Sequence, residues 1–298
     1  MKPPPFEYYA PTTVEEALAG LAEHGYDAKP LAGGQSLIPM MNFRLAQPSV
    51  LIDLNNIPEL AYIRPDENGG VLLGAMSRHK TVGNDALIAA KVPLVHEAIK
   101  NIGTPQIRTR GTFGGSLSHA DPSAELATVS VALNGRFKLR SQKGERWVQA
   151  NEFFIGSFTS ALEPEELLVE INLPYQPEHS GWSLVEVARR HNDFAIIGVA
   201  AVVELDGNGN CEQARMVLLS AGDRSMEAVH AEELLKGQKP TADLIQAAAD
   251  KAASADIDPG GDIHATAEFR RHLAKVLSRR ALHEAFKRAL GGLGKPDV

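Results

Sequence analysis

The first helical pattern lies close to the start of the chain. Its apolar face consists of Val14, Leu18 and Leu21. Thr12 and Glu15 have capping-box spacing and Gly25 is a natural stop, so an amphipathic helix is predicted between them. Apolar runs at 28–31 and 50–54 then predict two short strands. This part of the chain is therefore expected to form a small α/β lobe.

The following stretch alternates strand and helix patterns. Strands are predicted at 62–63, 71–73, 137–139 and 167–173, and helices at 93–102 and 126–133. The first two strands flank the turn PDENGG and therefore predict a hairpin. Asn134-Gly135 is the turn signal before the third strand. Pro174 ends the last strand, and the residues after it are rich in turn formers.

The remainder of the chain has strands first and helices last. Three strands are predicted at 183–188, 196–205 and 214–220, and helices at about 225–236, 241–253 and 264–290. This order is typical of an α+β domain. The predicted division is a first lobe at 1–56, a second lobe at 57–176 and a C-terminal domain at 177–298.

Composition narrows the class of protein. The 298 residues carry a formal charge of -7, which argues against nucleic acid as the main partner. No apolar run approaches the roughly 20 residues of a membrane helix, so no integral membrane segment is expected. The start of the chain lacks the apolar core of a secretory signal, so a cytoplasmic protein is expected. Cys211 is the only cysteine and can form no internal disulfide.

Two stretches share an unusual glycine pattern. Residues 31–37 read LAGGQSL and residues 112–118 read TFGGSLS. Neither is a P-loop or a Rossmann turn. A glycine pair lets a ligand approach the backbone, and successive N–H groups there can bind an oxyanion. Two such loops in adjacent lobes predict a shared diphosphate site, in which a branched side chain at Gly33 or Gly114 would fill ligand space and prevent binding without loss of the fold.

Longer stretches around these loops resemble a known family. They are AGGQSLIPMMNFRLA at 32–46, NIGTPQIRTRGTFGGSLSHADPSAELATV at 101–129 and ARRHNDFAIIGVAA at 188–201. They are similar to the FAD-binding medium subunit of molybdenum hydroxylases, the group of carbon monoxide dehydrogenase and xanthine dehydrogenase. The resemblance covers essentially the whole chain. It implies an α+β protein with a two-lobed FAD-binding fold of the vanillyl-alcohol-oxidase (PCMH) type and a C-terminal domain with a three-stranded sheet.

The resemblance also implies where FAD binds. The first loop would hold its diphosphate through Ala32, Gly33, Gly34, Gln35, Ser36 and Leu37, and the second through Thr112, Gly114, Gly115 and Ser116. Glu125 would face the sugar of the flavin nucleotide. Leu168 would pack on the flavin or adenine, and Phe194 would lie against the isoalloxazine ring. Some relatives have a lysine near the flavin where this chain has Val185 and Glu186, which leaves open what tunes the potential.

Several residues admit a simpler interpretation. His119 could suggest a metal ligand, but no second His or Cys has ligand spacing, and a loop histidine that bonds the cofactor or the backbone is favoured. Arg108 and Arg110 either pair with local acids or face an acidic iron–sulfur partner. Cys211 is expected between two strands and inert.

The resemblance implies an electron-transfer function. A large subunit would hold a molybdopterin-type cofactor, and a small subunit two [2Fe-2S] clusters that deliver electrons to the FAD of this chain. A dimer of such heterotrimers is expected. No catalytic acid or base is assigned to this chain, and no metal. The alternatives are a stand-alone flavin-dependent oxidoreductase of the same fold and a nucleotide-binding module without redox activity.

Overall fold

The computed structural model describes residues 2–177, 179–190 and 192–293. Its first part contains the strands β1 (Glu7–Tyr9), β2 (Ala28–Leu31) and β3 (Val50–Asp53) and the helices α1 (Val14–His24) and α2 (Leu37–Asn42). The three strands form a parallel sheet in the order β1-β3-β2. One short 3-10 turn (Gly25–Asp27) lies between α1 and β2, and two more (Leu54–Asn56 and Pro58–Leu60) follow β3. The predicted α/β character of this part is confirmed.

The N-cap of helix α1 is one residue later than predicted. The face that it buries consists of Val14, Ala17, Leu18 and Leu21. Thr13 is the N-cap, because its side chain accepts the N–H of Glu16 at 3.2 Å. The carboxylate of Glu16 in turn accepts the N–H of Thr12 at 2.8 Å. The predicted pair of Thr12 and Glu15 is therefore wrong by one position, and Glu15 pairs with Arg140 instead.

The second part is built on a five-stranded antiparallel sheet. Its strands are β4 (Ile63–Pro65), β5 (Val71–Gly74), β6 (Arg136–Ser141), β7 (Gly144–Gln149) and β10 (Leu167–Leu173), beside the small hairpin of β8 (Phe154–Gly156) and β9 (Thr159–Ser160). The order in the large sheet is β4-β5-β10-β6-β7. The predicted hairpin is confirmed as the antiparallel pair of β4 and β5.

Seven helices described here pack around this sheet. They are α3 (His79–Asn84), α4 (Ala86–Lys91), α5 (Pro93–Ile99), α6 (Pro105–Arg110), α7 (Phe113–His119), α8 (Glu125–Ala132) and α9 (Ala150–Phe153). The core between helices and sheet includes the fully buried rings of Phe113, Phe137 and Phe153. Helix α7 packs on β10 and α8, so the glycine-rich start of α7 is held by the core of this lobe.

The C-terminal domain has a four-stranded antiparallel sheet. Its strands are β11 (Ser180–Ala188), β12 (Ala195–Leu205), β13 (Cys211–Leu219) and β14 (Met226–Glu227), and its helices are α10 (Val229–Leu235), α11 (Ala242–Lys251), a π-helical turn (Ala252–Asp256) and α12 (Ala267–Leu293). The sequence predicts three strands and a helix from about residue 225. Met226 and Glu227 instead pair with β13, which adds the short fourth strand and delays α10.

Both faces of the C-terminal sheet are covered. Helix α12 packs on one face. The second lobe packs on the other face, where Leu184, Ala200 and Val217 join its core. At the β11 edge of the sheet, Arg288 of α12 donates to Glu97 of the second lobe and to the carbonyl oxygen of Trp182, each at 2.8 Å. In the part of the chain that the structure describes, no helix has the length and apolarity that a membrane span requires. The domain boundaries at residues 56 and 176 stay a prediction.

Candidate functional site

Two glycine-rich segments lie side by side in the structure. The first glycine segment (residues 32–37) joins β2 to α2, and the second glycine segment (residues 112–116) begins α7. A Cβ atom placed on Gly33 would lie 2.8 Å from the Cα atom of Gly111. Cβ atoms essentially never approach another backbone this closely. The fold therefore makes neighbours of the two segments that the sequence assigns to one site.

The first glycine segment offers a row of unpaired backbone donors. The N–H groups of residues 33–37 donate to no acceptor within the described ranges. Gly34 has a φ of +72°, a left-handed conformation that favours glycine. Gln35 and Ser36 are exposed, and the Gln35 side chain donates to the carbonyl oxygen of Gly33 at 3.0 Å. Clustered, unpaired N–H groups on an exposed turn suit the oxygens of a diphosphate.

The second glycine segment differs from the predicted loop. Thr112 is the N-cap of α7, and the glycines lie in its first turn. The N–H of Gly114 donates to the carbonyl oxygen of Ala75 at 2.8 Å, and the N–H of Gly115 donates to the Thr112 hydroxyl at 3.1 Å. The N–H of Ser116 donates to the carbonyl oxygen of Thr112. Because these donors are already paired, this segment does not form a second oxyanion nest.

The glycines fit tightly against protein backbone. A Cβ atom on Gly33 would clash with the carbonyl of Arg110, and one on Gly114 would lie 2.8 Å from the Cα atom of Ala75. The expectation that a branched side chain at either position would spare the fold therefore does not agree with this packing. Both positions are small because neighbouring segments approach there, so a branched side chain would disturb the fold as well as the site.

His79 supports the second glycine segment from behind. Its side chain is buried, and Nε2 lies 2.9 Å from the carbonyl oxygen of Thr112. Because a carbonyl only accepts, Nε2 carries the proton of the neutral ring. Nδ1 is buried without a partner among the described residues. Burial lowers the pKa of His79 to about 4, and the nearby cations of Arg108 and Arg78 also lower it.

We expect this buried histidine to make the protein acid-sensitive. Between pH 6.5 and 4 the unfolded chain binds a proton at His79 that the folded chain excludes. The free energy of unfolding therefore decreases as the pH is lowered through this range, by up to about 3 kcal/mol. Urea unfolding across this range should show a shallower fall in His79→Gln. The exposed His272→Gln is the matched control and should keep the full fall. Equal slopes in all three proteins would contradict the assignment.

Three other predicted residues lie outside the two glycine segments. His119 ends α7, and its ring packs on that of Phe158 with centroids 5.1 Å apart. Leu168 lies in the middle of β10 and is 2% exposed within the core of the second lobe. Phe194 is 79% exposed. Contacts of Leu168 and Phe194 with a flavin stay predictions.

Two carboxyl groups meet between the second lobe and the C-terminal sheet. Glu125 begins α8, and burial together with the charge of Glu186 raises its pKa to about 8. Glu186 lies on β11 and shares a face with Leu184, which packs into the core of the second lobe. Burial raises the pKa of Glu186 to about 7, and its Oε2 has no partner among the described residues. Both residues are singled out by the sequence, but their proximity is not.

The two arginines before the second glycine segment have different surroundings. Arg108 donates to the carbonyl oxygens of Ile102 and Gly103, at 2.9 and 2.6 Å. One nitrogen of its guanidinium is therefore occupied within the chain, by carbonyl oxygens rather than by the local acids that were expected, and a contact of Arg108 with a partner protein stays a prediction. The Arg110 side chain is exposed and forms no ion pair within the described residues. A contact of Arg110 with a partner protein stays a prediction.

Two residues that the sequence analysis did not assign stand between the glycine segments. Asn55 donates to the carbonyl oxygen of Ala32, and Arg78 donates both to Asn55 and to the carbonyl oxygen of Arg110. In the sequence, Asn55 is recognisable only as a polar residue directly after a predicted strand. No spacing or motif singles out Arg78, because its role depends on the tertiary approach of the two segments.

The chain matches two family models in succession. Residues 4–176 match the FAD binding domain in molybdopterin dehydrogenase, and residues 182–285 match the CO dehydrogenase flavoprotein C-terminal domain. The sequence is 41% identical to the 6-hydroxypseudooxynicotine dehydrogenase complex subunit alpha of Paenarthrobacter nicotinovorans, over 97% of each chain. It is 39% identical to the carbon monoxide dehydrogenase medium chain of Hydrogenophaga pseudoflava, over 97% of this chain and 99% of that one.

Solved structures agree with the sequence matches. A carbon monoxide dehydrogenase chain from Hydrogenophaga pseudoflava superposes with a TM-score of 0.93 at 39% identity, over 97% of this chain and 99% of that one. Quinoline 2-oxidoreductase from Pseudomonas putida 86 gives 0.92 at 34% identity, over 97% and 100%. Fold and matches together define an FAD-binding oxidoreductase component. The chain belongs to the family of FAD-binding medium subunits of molybdenum hydroxylases.

Proposed function

We propose that this chain is the electron-transfer subunit of a heterotrimeric molybdenum hydroxylase. In this role it passes electrons from the [2Fe-2S] clusters of a small subunit, through its FAD, to an external acceptor. The observation that supports this most directly is the row of unpaired N–H groups at residues 33–37, beside the second glycine segment, in a chain that matches an FAD-binding domain. Bound FAD would supply one- and two-electron redox chemistry.

The described residues suggest a division of roles around the cofactor. The N–H groups of the first glycine segment would hold the diphosphate, with Ser116 adding a hydroxyl from the second. Glu125 would face the sugar of the flavin nucleotide. Phe194 has an exposed ring that can lie against the isoalloxazine. No residue of the chain is proposed as a catalytic acid or base.

The cysteine inventory supports a role as one subunit among several. Cys211 is the only cysteine of the sequence. It begins β13, rather than lying between strands as expected, and burial raises its pKa to about 12. A [2Fe-2S] cluster takes four ligands, usually cysteines, so the clusters must belong to another chain. We therefore propose a small [2Fe-2S] subunit and a large molybdopterin subunit as partners, in a cytoplasmic dimer of heterotrimers.

An absorbance spectrum and a pull-down test this proposal. Flavin bands near ~450 nm are expected from the purified chain. A tagged chain expressed with the genes that adjoin its own should co-purify with a large and a small partner. Bound flavin without such partners would favour the stand-alone oxidoreductase, whereas absence of flavin would leave only the nucleotide-binding module.

We expect the isolated, FAD-loaded chain to oxidise no aldehyde, purine or N-heterocycle. It should, however, accept electrons from its reduced small-subunit partner. The reason is that the sequence holds neither cluster ligands nor a pterin-binding motif. Anaerobic stopped-flow bleaching of the flavin band measures both reactions, with the cluster-free small subunit as control. Turnover of an organic substrate by the single chain would contradict the subunit assignment.

A further inference from the structure

Asn55 contacts the first glycine segment directly. Its Nδ2 donates to the carbonyl oxygen of Ala32 at 2.9 Å, and its Oδ1 accepts a hydrogen bond from Arg78. The backbone N–H of Asn55 donates to Asp53 at 2.9 Å, which fixes the position of the residue. The partners also fix which way the amide faces, because an arginine only donates and a backbone carbonyl only accepts.

Arg78 continues this contact to the second glycine segment. Its guanidinium donates through one nitrogen to Asn55 and through the other to the carbonyl oxygen of Arg110. Its backbone forms an antiparallel bridge with Thr112. Its half-buried side chain therefore spans from Asn55, which holds the first glycine segment, to Arg110, which precedes the second.

These contacts determine the direction of the donors in the first glycine segment. In a trans peptide the C=O and N–H groups point in opposite directions. Because the carbonyl of Ala32 is held toward Asn55, the N–H of Gly33 points away from it, and this N–H has no acceptor among the residues that the structure describes. The carbonyl of Arg110 is also the group on which Gly33 packs. One pair of side chains thus sets both the spacing of the segments and the orientation of a donor.

We infer that Asn55 and Arg78, here called the Asn55–Arg78 bridge, are positioning residues that hold the two glycine segments in the arrangement that binds the diphosphate of FAD. This inference rests on the proposed FAD site. It concerns residues that neither the sequence pattern nor the family resemblance assigned. The bridge acts on the cofactor through the backbone and need not touch it.

A double-mutant cycle on FAD affinity tests the bridge. The variants are Asn55→Leu, Arg78→Met and the double variant, each in the full chain stripped of flavin and shown by circular dichroism to be folded. Each single variant should raise the Kd for FAD about tenfold, the effect of losing a hydrogen bond to a charged group. Because both side chains act as one unit, the Kd of the double variant for FAD should be no higher than that of the single variant with the higher Kd.

Two controls separate positioning from general stability. Arg146→Met also removes an arginine that bonds one side chain and one carbonyl oxygen, those of Glu166 and Ala161, but on the edge strand β7 and outside the glycine segments. It should lower the Tm of the flavin-free chain as much as Arg78→Met does, yet leave the Kd unchanged. The phosphorus NMR shifts of bound FAD should move in the bridge variants and not in Arg146→Met.

Arg78→Lys adds a conservative comparison. It keeps the charge but loses the two-nitrogen fork with which Arg78 bonds Asn55 and Arg110 separately, so its Kd should match that of Arg78→Met. Unchanged affinity in both single variants, additive losses in the double variant, or full rescue by lysine would each overturn the bridge. A wild-type chain that binds no FAD would instead overturn the proposed function, so the two failures are distinguishable.

Discussion

Gly33→Val is expected to lose its FAD and much of its stability together. The added Cβ would lie 2.8 Å from the Cα atom of Gly111 and would clash with the carbonyl of Arg110. Both neighbours are backbone atoms and cannot rotate aside. The first glycine segment must therefore move away from the second, which separates the donors of residues 33–37 from the rest of the site. Overpacking of this kind costs about 1–3 kcal/mol, and sometimes more.

The experiment compares flavin content and thermal unfolding in three proteins. Wild type and the control Gly260→Val should purify with equal flavin, because a Cβ on the exposed Gly260 would meet nothing within 4 Å. Gly33→Val should contain little flavin, and its flavin-free form should unfold at a Tm several degrees below that of flavin-free wild type. A full complement of flavin and an unchanged Tm in Gly33→Val would show that the two segments are not packed as described.

A second large effect is expected from Glu186 as the pH rises. In the unfolded chain Glu186 loses its proton near pH 4.5, whereas in the folded chain the carboxyl holds it up to about pH 7, and Glu125 up to about pH 8. The folded state therefore binds more protons in this window. The contribution of the pair to the free energy of unfolding is fully present below pH 4.5 and is lost as the pH rises toward 8.

Glu186→Gln should therefore stabilise the protein at pH 8 and change little at pH 5. The expected gain at pH 8 is about 2 kcal/mol, which is less than the full shift because the carboxyl is only partly buried. The substitution also removes the charge of Glu186 that raises the pKa of Glu125. Urea unfolding at both pH values measures the gain, and the exposed Glu67→Gln serves as the control. A gain of equal size at both pH values would point to packing rather than ionisation.

The sequence predicted the elements whose pattern is local. Strands β2 and β10 occupy the predicted residues, because short apolar runs ended by turn signals define them. The glycine pairs pointed to two segments that do lie together. Family resemblance then supplied the cofactor, which no spacing in this chain would have specified, since neither glycine segment matches a common nucleotide motif.

One error of the sequence prediction is local: Thr13 rather than Thr12 caps α1, because the spacing permitted either. The other missed features depend on contacts between distant parts of the chain. The pairing of the Gly114 amide required knowledge that residues 75–77 run beside the start of α7. The approach of Glu186 to Glu125 likewise arises only when the C-terminal sheet packs on the second lobe. Such features follow from tertiary packing and have no local signature.

The donors of the first glycine segment are main-chain amides, and none of its side chains ionises. Its attraction for a diphosphate therefore has no pKa of its own and should persist wherever the lobe stays folded. Sequence change at Gln35 or Ser36 would alter the segment's surface without deleting a single donor. A change in the affinity of the segment for the diphosphate would accordingly require displacement of the backbone, so the affinity for flavin should report on how closely residues 33–37 stay against residues 110–111.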